Sequence, residues 1–134
     1  MKHGVQPATP EEEYEMHWYF ETVKDHDKKD LFGAIFTEGA PDETINGFIE
    51  NLKALFDKTE ARFADGRAHV AGASITAADY FLLSQYTQVV INPNLRNPAI
   101  HNALEAYVHP QQNNMRVINA IKAELQTHVD ALNF

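Results

Sequence analysis

Between Thr76 and about Ile91 the chain carries Tyr80, Phe81, Leu82, Leu83, Tyr86, Val89 and Val90, apolar residues on almost every side of a helix. A helix without a polar face belongs at the centre of a bundle, screened from water by other helices. The residues before it spell out how it starts. Thr76 is placed to act as N-cap, its hydroxyl accepting from the amides that open the helix. Asp79, at the third helical position, can reach back to the Thr76 amide and suits the positive end of the helix dipole. Ile75 before the cap and Tyr80 at the fourth position complete a hydrophobic staple, and Asn92-Pro93-Asn94 stops the helix.

The surrounding segments supply the rest of the bundle. Thr9-Pro10-Glu11-Glu12 is a helix start, with Thr9 as N-cap, Pro10 in the first turn and Glu12 completing a second capping box. That helix carries Tyr14, Trp18 and Val23 and runs to about Asp27; Asp25 to Asp30 reads as a solvated turn or kink. Leu31, Phe32, Ile35 and Phe36 then resume an apolar face up to Gly39-Ala40-Pro41. From Pro41 to about Phe63, Ile45, Phe48, Ile49, Leu52, Leu55, Phe56 and Phe63 recur in steps characteristic of an amphipathic helix, ending near Gly66. Asn97-Pro98 opens a shorter helix with Ile100, Leu104, Tyr107 and Val108 inward. After His109-Pro110 a last one carries Met115, Ile118, Ile121, Leu125, Val129 and Leu132. No segment alternates as a strand does. The expected architecture is all-α, five or six helices wrapped on the Thr76 helix.

Composition narrows the function classes. The chain has 134 residues, enough for one domain with a single core. A net charge of −8 argues against a nucleic-acid or anionic-membrane surface, since either would need a basic stripe. Without cysteine there is no disulfide framework, thiolate nucleophile or zinc–thiolate site. No apolar run approaches the length of a membrane span and no apolar signal segment is visible, so the cytoplasm is the expected compartment.

Individual residues offer little conventional chemistry. The seven histidines, His3, His17, His26, His69, His101, His109 and His128, include no His-x-x-x-His pair and no His-Glu-x-x-His run. Glu13 with His17 and Glu124 with His128 share helix faces, as surface ion pairs commonly do. Glu11-Glu12-Glu13 complements a helix dipole. Ser74 and Ser84, the only serines, sit in no nucleophile elbow, and no glycine-rich phosphate loop occurs. The cluster Tyr14, Trp18, Tyr19 and Phe20 stands out, because adjacent Trp18, Tyr19 and Phe20 cannot all point inward from one helix.

The stretch from Val70 through Gly72-Ala73-Ser74-Ile75-Thr76-Ala77-Ala78-Asp79-Tyr80 to Leu83 resembles the buried capping box in the helical C-terminal domain of glutathione transferases. The order of the helices, the "FADGRAHVAGAS" loop and the "NPNLRNPAIHNALEAYVHPQQNN" connection resemble that domain over essentially the whole chain, most of all its sigma-like and protist branches. Lys2-His3-Gly4 followed by Val5-Gln6-Pro7 is similar to the family's inter-domain linker. The resemblance therefore implies a linker remnant over residues 1–8, a helical domain over 9–134, and no thioredoxin-like domain. In the family that missing domain holds the glutathione-activating residue and most of the glutathione site. The implied roles of Ile75, Thr76, Asp79 and Tyr80 are structural, in the folding nucleus and core. No catalytic, cofactor or metal residue is implied, and glutathione is expected only if a thioredoxin-like domain is supplied.

The family's first helix in this domain lines the inter-domain cleft and contributes to the dimer interface, and an acidic residue near its kink touches glutathione in some branches; none of Asp27 or Asp30 is singled out for that role. Tyr14, Trp18, Tyr19 and Phe20 are thus candidates for an interface, as a homodimer or with a partner protein through the first two helices, or for a groove that takes a hydrophobic small molecule. Two functional expectations follow. One is a stand-alone, non-catalytic binding or assembly module, as such domains are in translation-associated complexes of the superfamily. The other is the C-terminal half of an active glutathione transferase, supplying its hydrophobic substrate wall.

Overall fold

The computed structural model describes residues 6–26 and 39–132. The expectations for the opening Lys2-His3-Gly4-Val5, for Asp27 to Asp30, and for Leu31, Phe32, Ile35 and Phe36 fall outside these. Among the described residues all regular structure is helical. Five α-helices follow one another: α1 (Pro10–Asp25), α2 (Asp42–Arg62), α3 (Ala77–Gln85), α4 (Pro98–Val108) and α5 (Gln112–Leu132).

Local chemistry explains most helix ends. The Thr9 hydroxyl accepts from the Glu12 amide at 3.1 Å, and Pro10 opens α1. The Glu12 carboxylate does not return to Thr9; it accepts from the Ser74 hydroxyl, because the loop before α3 lies against this turn. α2 tightens into a 3₁₀ turn at Phe63–Asp65 and stops where Gly66 adopts a left-handed φ of 88°. α3 does not run on as an α-helix to Ile91. From Tyr86 to Val90 it widens into a π turn, closed by the Ile91 amide donating to the Tyr86 carbonyl.

The core is shared rather than wrapped on one helix. α3 with its π turn touches α1, α4 and α5, and α2 touches the same three. Tyr19, Phe56, Phe63, Leu82, Ile100, Leu104, Ile118 and Ile121 fill the space between, each with at most 1% of its surface exposed. α3 accordingly has an outer stripe, Ala77, Phe81 and Ser84, with Ala77 and Phe81 exposed. Val129, expected to face inward, is 56% exposed, because α5 outruns the helices it packs against. Residues Gln126 to Ala131 are all exposed.

The start of α5 carries no Ser, Thr or Asp cap. The carboxylate of Glu60 on α2 fills that role, accepting from the Asn114 amide at 2.8 Å and the Asn113 amide at 3.1 Å. Asn114, fully buried, donates to the Phe56 carbonyl and to Gln111, and accepts from the Thr59 hydroxyl at 2.6 Å. Arg116 answers from α5, donating to the carbonyls of Phe63 and Arg67 in the turn and loop that follow α2. Glu60 thus satisfies orphan amides of α5, while Arg116 ties the segment after α2 back to it.

Replacing Asn114 by Ala would remove the buried bonds that tie α5 to the Phe56 carbonyl and the Thr59 hydroxyl, leaving those two only their own contact within α2. The expected loss in denaturant unfolding is about 2–4 kcal/mol. Val129→Ser, at an exposed position of the same helix, should change stability by less than about 0.5 kcal/mol.

Candidate functional site

The densest polar arrangement lies where the loop before α3 meets α1, α3 and α5. Its centre is Asp79, fully buried. One carboxylate oxygen accepts from the Val70 amide at 2.9 Å; the other accepts from the Thr76 amide at 2.7 Å and the Thr76 hydroxyl at 3.3 Å. The Thr76 hydroxyl in turn accepts from the Ala78 amide, so both halves of the capping box are in place. Ile75 is buried beside it, and Tyr80 is half-buried against the core. Burial raises the pKa of Asp79, against the opposing pull of its bonds from Val70 and Thr76.

The loop is shaped to deliver those amides. His69 and Gly72 exchange backbone hydrogen bonds in a tight turn. Gly72 has a φ of 142°, closed to other residues, and a Cβ there would stand 3.6 Å from the Glu12 side chain. Glu12 is itself buried; one of its oxygens meets Ser74 and the other has no hydrogen-bond partner. The His69 ring, also buried, lies between two carboxylates, Nδ1 being 3.3 Å from Asp79 and Nε2 3.1 Å from Glu124.

The four aromatic residues of α1 do not share one surface. Tyr19 is fully buried and donates to Gln85 Oε1 at 3.0 Å; burial, with the Asp79 carboxylate nearby, holds its phenol well above the ordinary range. Trp18 and Phe20, two residues apart and so about 200° apart on the helix, occupy opposite flanks. Trp18 lies half-buried under the Arg62 guanidinium, 4.4 Å from its ring, and Arg62 is held by Glu15 at 2.8 Å. Phe20 faces the other way, edge-to-face with Tyr19 and with Phe81 of α3, the ring centroids 5.7 and 5.8 Å apart. Phe81 remains 39% exposed, and Tyr14 stands 65% exposed on the outer side of α1.

A second polar chain crosses from α3 to α4. The Tyr86 hydroxyl and His109 Nε2 are 2.8 Å apart, and His109 and His101 flank Glu105 one turn after and one turn before it. His101 Nε2 is 3.0 Å from Glu105, while its Nδ1 donates to the Val90 carbonyl exposed by the π turn. The inner end of this chain is a buried phenol, whose pKa burial raises. Among the described residues no group of three or more histidine or carboxylate side chains is arranged to hold a metal ion.

Sequence reasoning reached Thr76 and Asp79 through their spacing. It paired Glu124 with His128 and gave Glu12 to the Thr9 capping box; that His69 meets Glu124, and Ser74 meets Glu12, was decided only in the fold. The repeat His101-x₃-Glu105-x₃-His109 was not singled out, though its four-residue steps suit one helix face. Neither was the pair Asp65 and Arg67, where the guanidinium hydrogen bonds hold the carboxyl at a pKa of about 2.

Asp79→Ala would leave the Val70 and Thr76 amides without their acceptor and the His69 ring without one of its two facing carboxylates. It should cost about 3–5 kcal/mol in denaturant unfolding, against about 1 kcal/mol for a cap alone at Thr76→Ala. Asp65 has a lowered pKa, so its contribution is present above the ordinary carboxylate value and lost as pH falls toward about 2. In carboxyl NMR titrations, Arg67→Ala should return Asp65 to the ordinary value near 3.8.

Comparison of the chain with family models, with curated proteins and with solved structures returned no match.

Proposed function

We propose that the chain is a helical module of the glutathione transferase C-terminal kind, acting by binding apolar groups rather than by chemistry of its own. The observation that carries this reading is the aromatic face where α1 meets α3. Phe81 occupies a position on the outer stripe of α3, yet it packs edge-to-face on Phe20 and Tyr19 with much of its ring still exposed. Such an arrangement offers a rigid, partly desolvated aromatic surface to a ligand or partner. The buried acid and base groups support the binding reading. Asp79 spends its capacity on backbone amides and Tyr19 on Gln85, so both serve to hold the fold.

A second reading uses the same face. As the C-terminal half of an active glutathione transferase, the module would present Phe20 and Phe81 as the apolar wall beside the conjugation site. Assembly with a second copy or a partner protein through α1 and α2 is the protein-level form of the binding reading.

Phe81→Ser is the discriminating variant, since an exposed position tolerates it. Binding of a fluorescent anilinonaphthalene probe should weaken several-fold, with a melting temperature shifted by no more than a few degrees. Unchanged probe binding would sink the face. The chain by itself should not conjugate glutathione to an aryl halide above the uncatalysed rate. Turnover above that rate, sensitive to Phe81→Ser, would establish the transferase reading instead.

A further inference from the structure

Three groups that no single segment of the chain could bring together meet at His69. The ring is buried, and each of its nitrogens faces a carboxylate: Asp79 at the start of α3 on one side, Glu124 on α5 on the other. A neutral imidazole carries one N–H and one lone pair. Protonated on Nδ1 alone, it would turn a lone pair toward Glu124 at 3.1 Å. Protonated on Nε2 alone, it would turn one toward the buried Asp79 carboxylate at 3.3 Å. Either tautomer turns a lone pair toward a carboxylate oxygen, and Nδ1 stands buried without a hydrogen bond. One additional proton within the trio removes both conflicts.

The position of Glu124 gives that proton a mechanical consequence. Among the described side chains of α5, Leu125 is the last packed against the core, and Gln126 to Ala131 are exposed. The side-chain bonds of this last stretch stay within α5, Gln126 to Asp130 and Thr127 to the Ala123 carbonyl. The Glu124–His69 contact therefore lies where α5 leaves the bundle.

We propose that Asp79, His69 and Glu124 form a proton-dependent latch that fastens the end of α5 to the capped start of α3. With the extra proton in place the imidazolium bridges two anions and α5 is held through Glu124. When the proton is lost, the ring can serve one carboxylate only; buried Asp79 is fixed by two backbone amides, so partly exposed Glu124 is the partner released.

Of the other ionisable groups, the Tyr19 phenol of α1 faces Asp79 and donates to Gln85, and exposed His128 stands one turn beyond Glu124 on α5. Glu12 of α1 is on Ser74, and Arg67 of the loop is on Asp65, Glu15 and the Val70 carbonyl. Arg116 of α5 is on the carbonyls of Phe63 and Arg67. A bridge that needs the extra proton is present at the acid end and is lost as pH rises.

The test is backbone hydrogen exchange of the full chain, corrected for intrinsic rates, between about pH 5 and pH 8, the range in which imidazoles titrate. Protection at Leu125 to Ala131 should fall by about tenfold across that range, while protection in α2 and α4 stays constant. Glu124→Gln, at a partly exposed side chain, should fold normally and give a flat, low profile for the same amides. The ¹⁵N shifts of the His69 ring should report both nitrogens protonated at the acid end. A singly protonated ring at that end, or a pH profile for Leu125 to Ala131 that Glu124→Gln leaves unchanged, would overturn the latch.

Discussion

A buried carboxylate needs compensation, and Asp79 obtains it from the chain segment it organises. Its two oxygens take up the amides of Val70 and Thr76, fixing the end of the loop and the first turn of α3 with one side chain. Everything near it inherits that placement. The loop turns tightly at Gly72 over Glu12, which ties the start of α1 to the same region through Ser74. His69, held in that turn, is then carried to α5. The desolvation of one acid is offset by anchoring three helices and a loop, which is why removing it costs more than removing the cap residue beside it.

The opposite end of the core is organised by a reciprocal exchange between α2 and α5. Glu60 of α2 accepts from free amides in the first turn of α5, and Arg116 of α5 donates to the Phe63 carbonyl in the turn that follows α2. Opposite charges thus sit at the two helix ends they suit, each supplied by the other helix. Buried Asn114 and Thr59 lock the register between them. An apolar contact alone would permit sliding; a buried polar group with fixed partners does not.

The helices were legible because their signals are local. Thr9 with Pro10, Thr76 with Asp79, and the three- and four-residue steps from Ile45 to Phe63 all act within a turn or two of the backbone. Glu12 shows where such reading fails: its spacing from Thr9 suits a capping box, yet the carboxylate turns to a loop residue far along the chain. Val129 continues the apolar pattern of α5 but stands largely exposed, with no helix of the described residues covering it. The aromatic run on α1 was legible as an excess of large apolar side chains. Its division into a buried Tyr19, a Trp18 covered by Arg62 and a Phe20 stacked on Phe81 depended on which neighbour flanks each side of α1.

The amino-acid sequence thus specified the helical class, the start of each capped helix and the apolar faces that must be buried. These follow from backbone hydrogen-bond demand and side-chain period, both short-range properties. Tertiary structure decided that α3 shares the core with α2, that Phe81 is left partly uncovered, and that His69 stands between Asp79 and Glu124. Those outcomes depend on which faces meet once the chain has closed, and the capping pair Thr76 and Asp79 carries no record of the imidazole that comes to rest beside it.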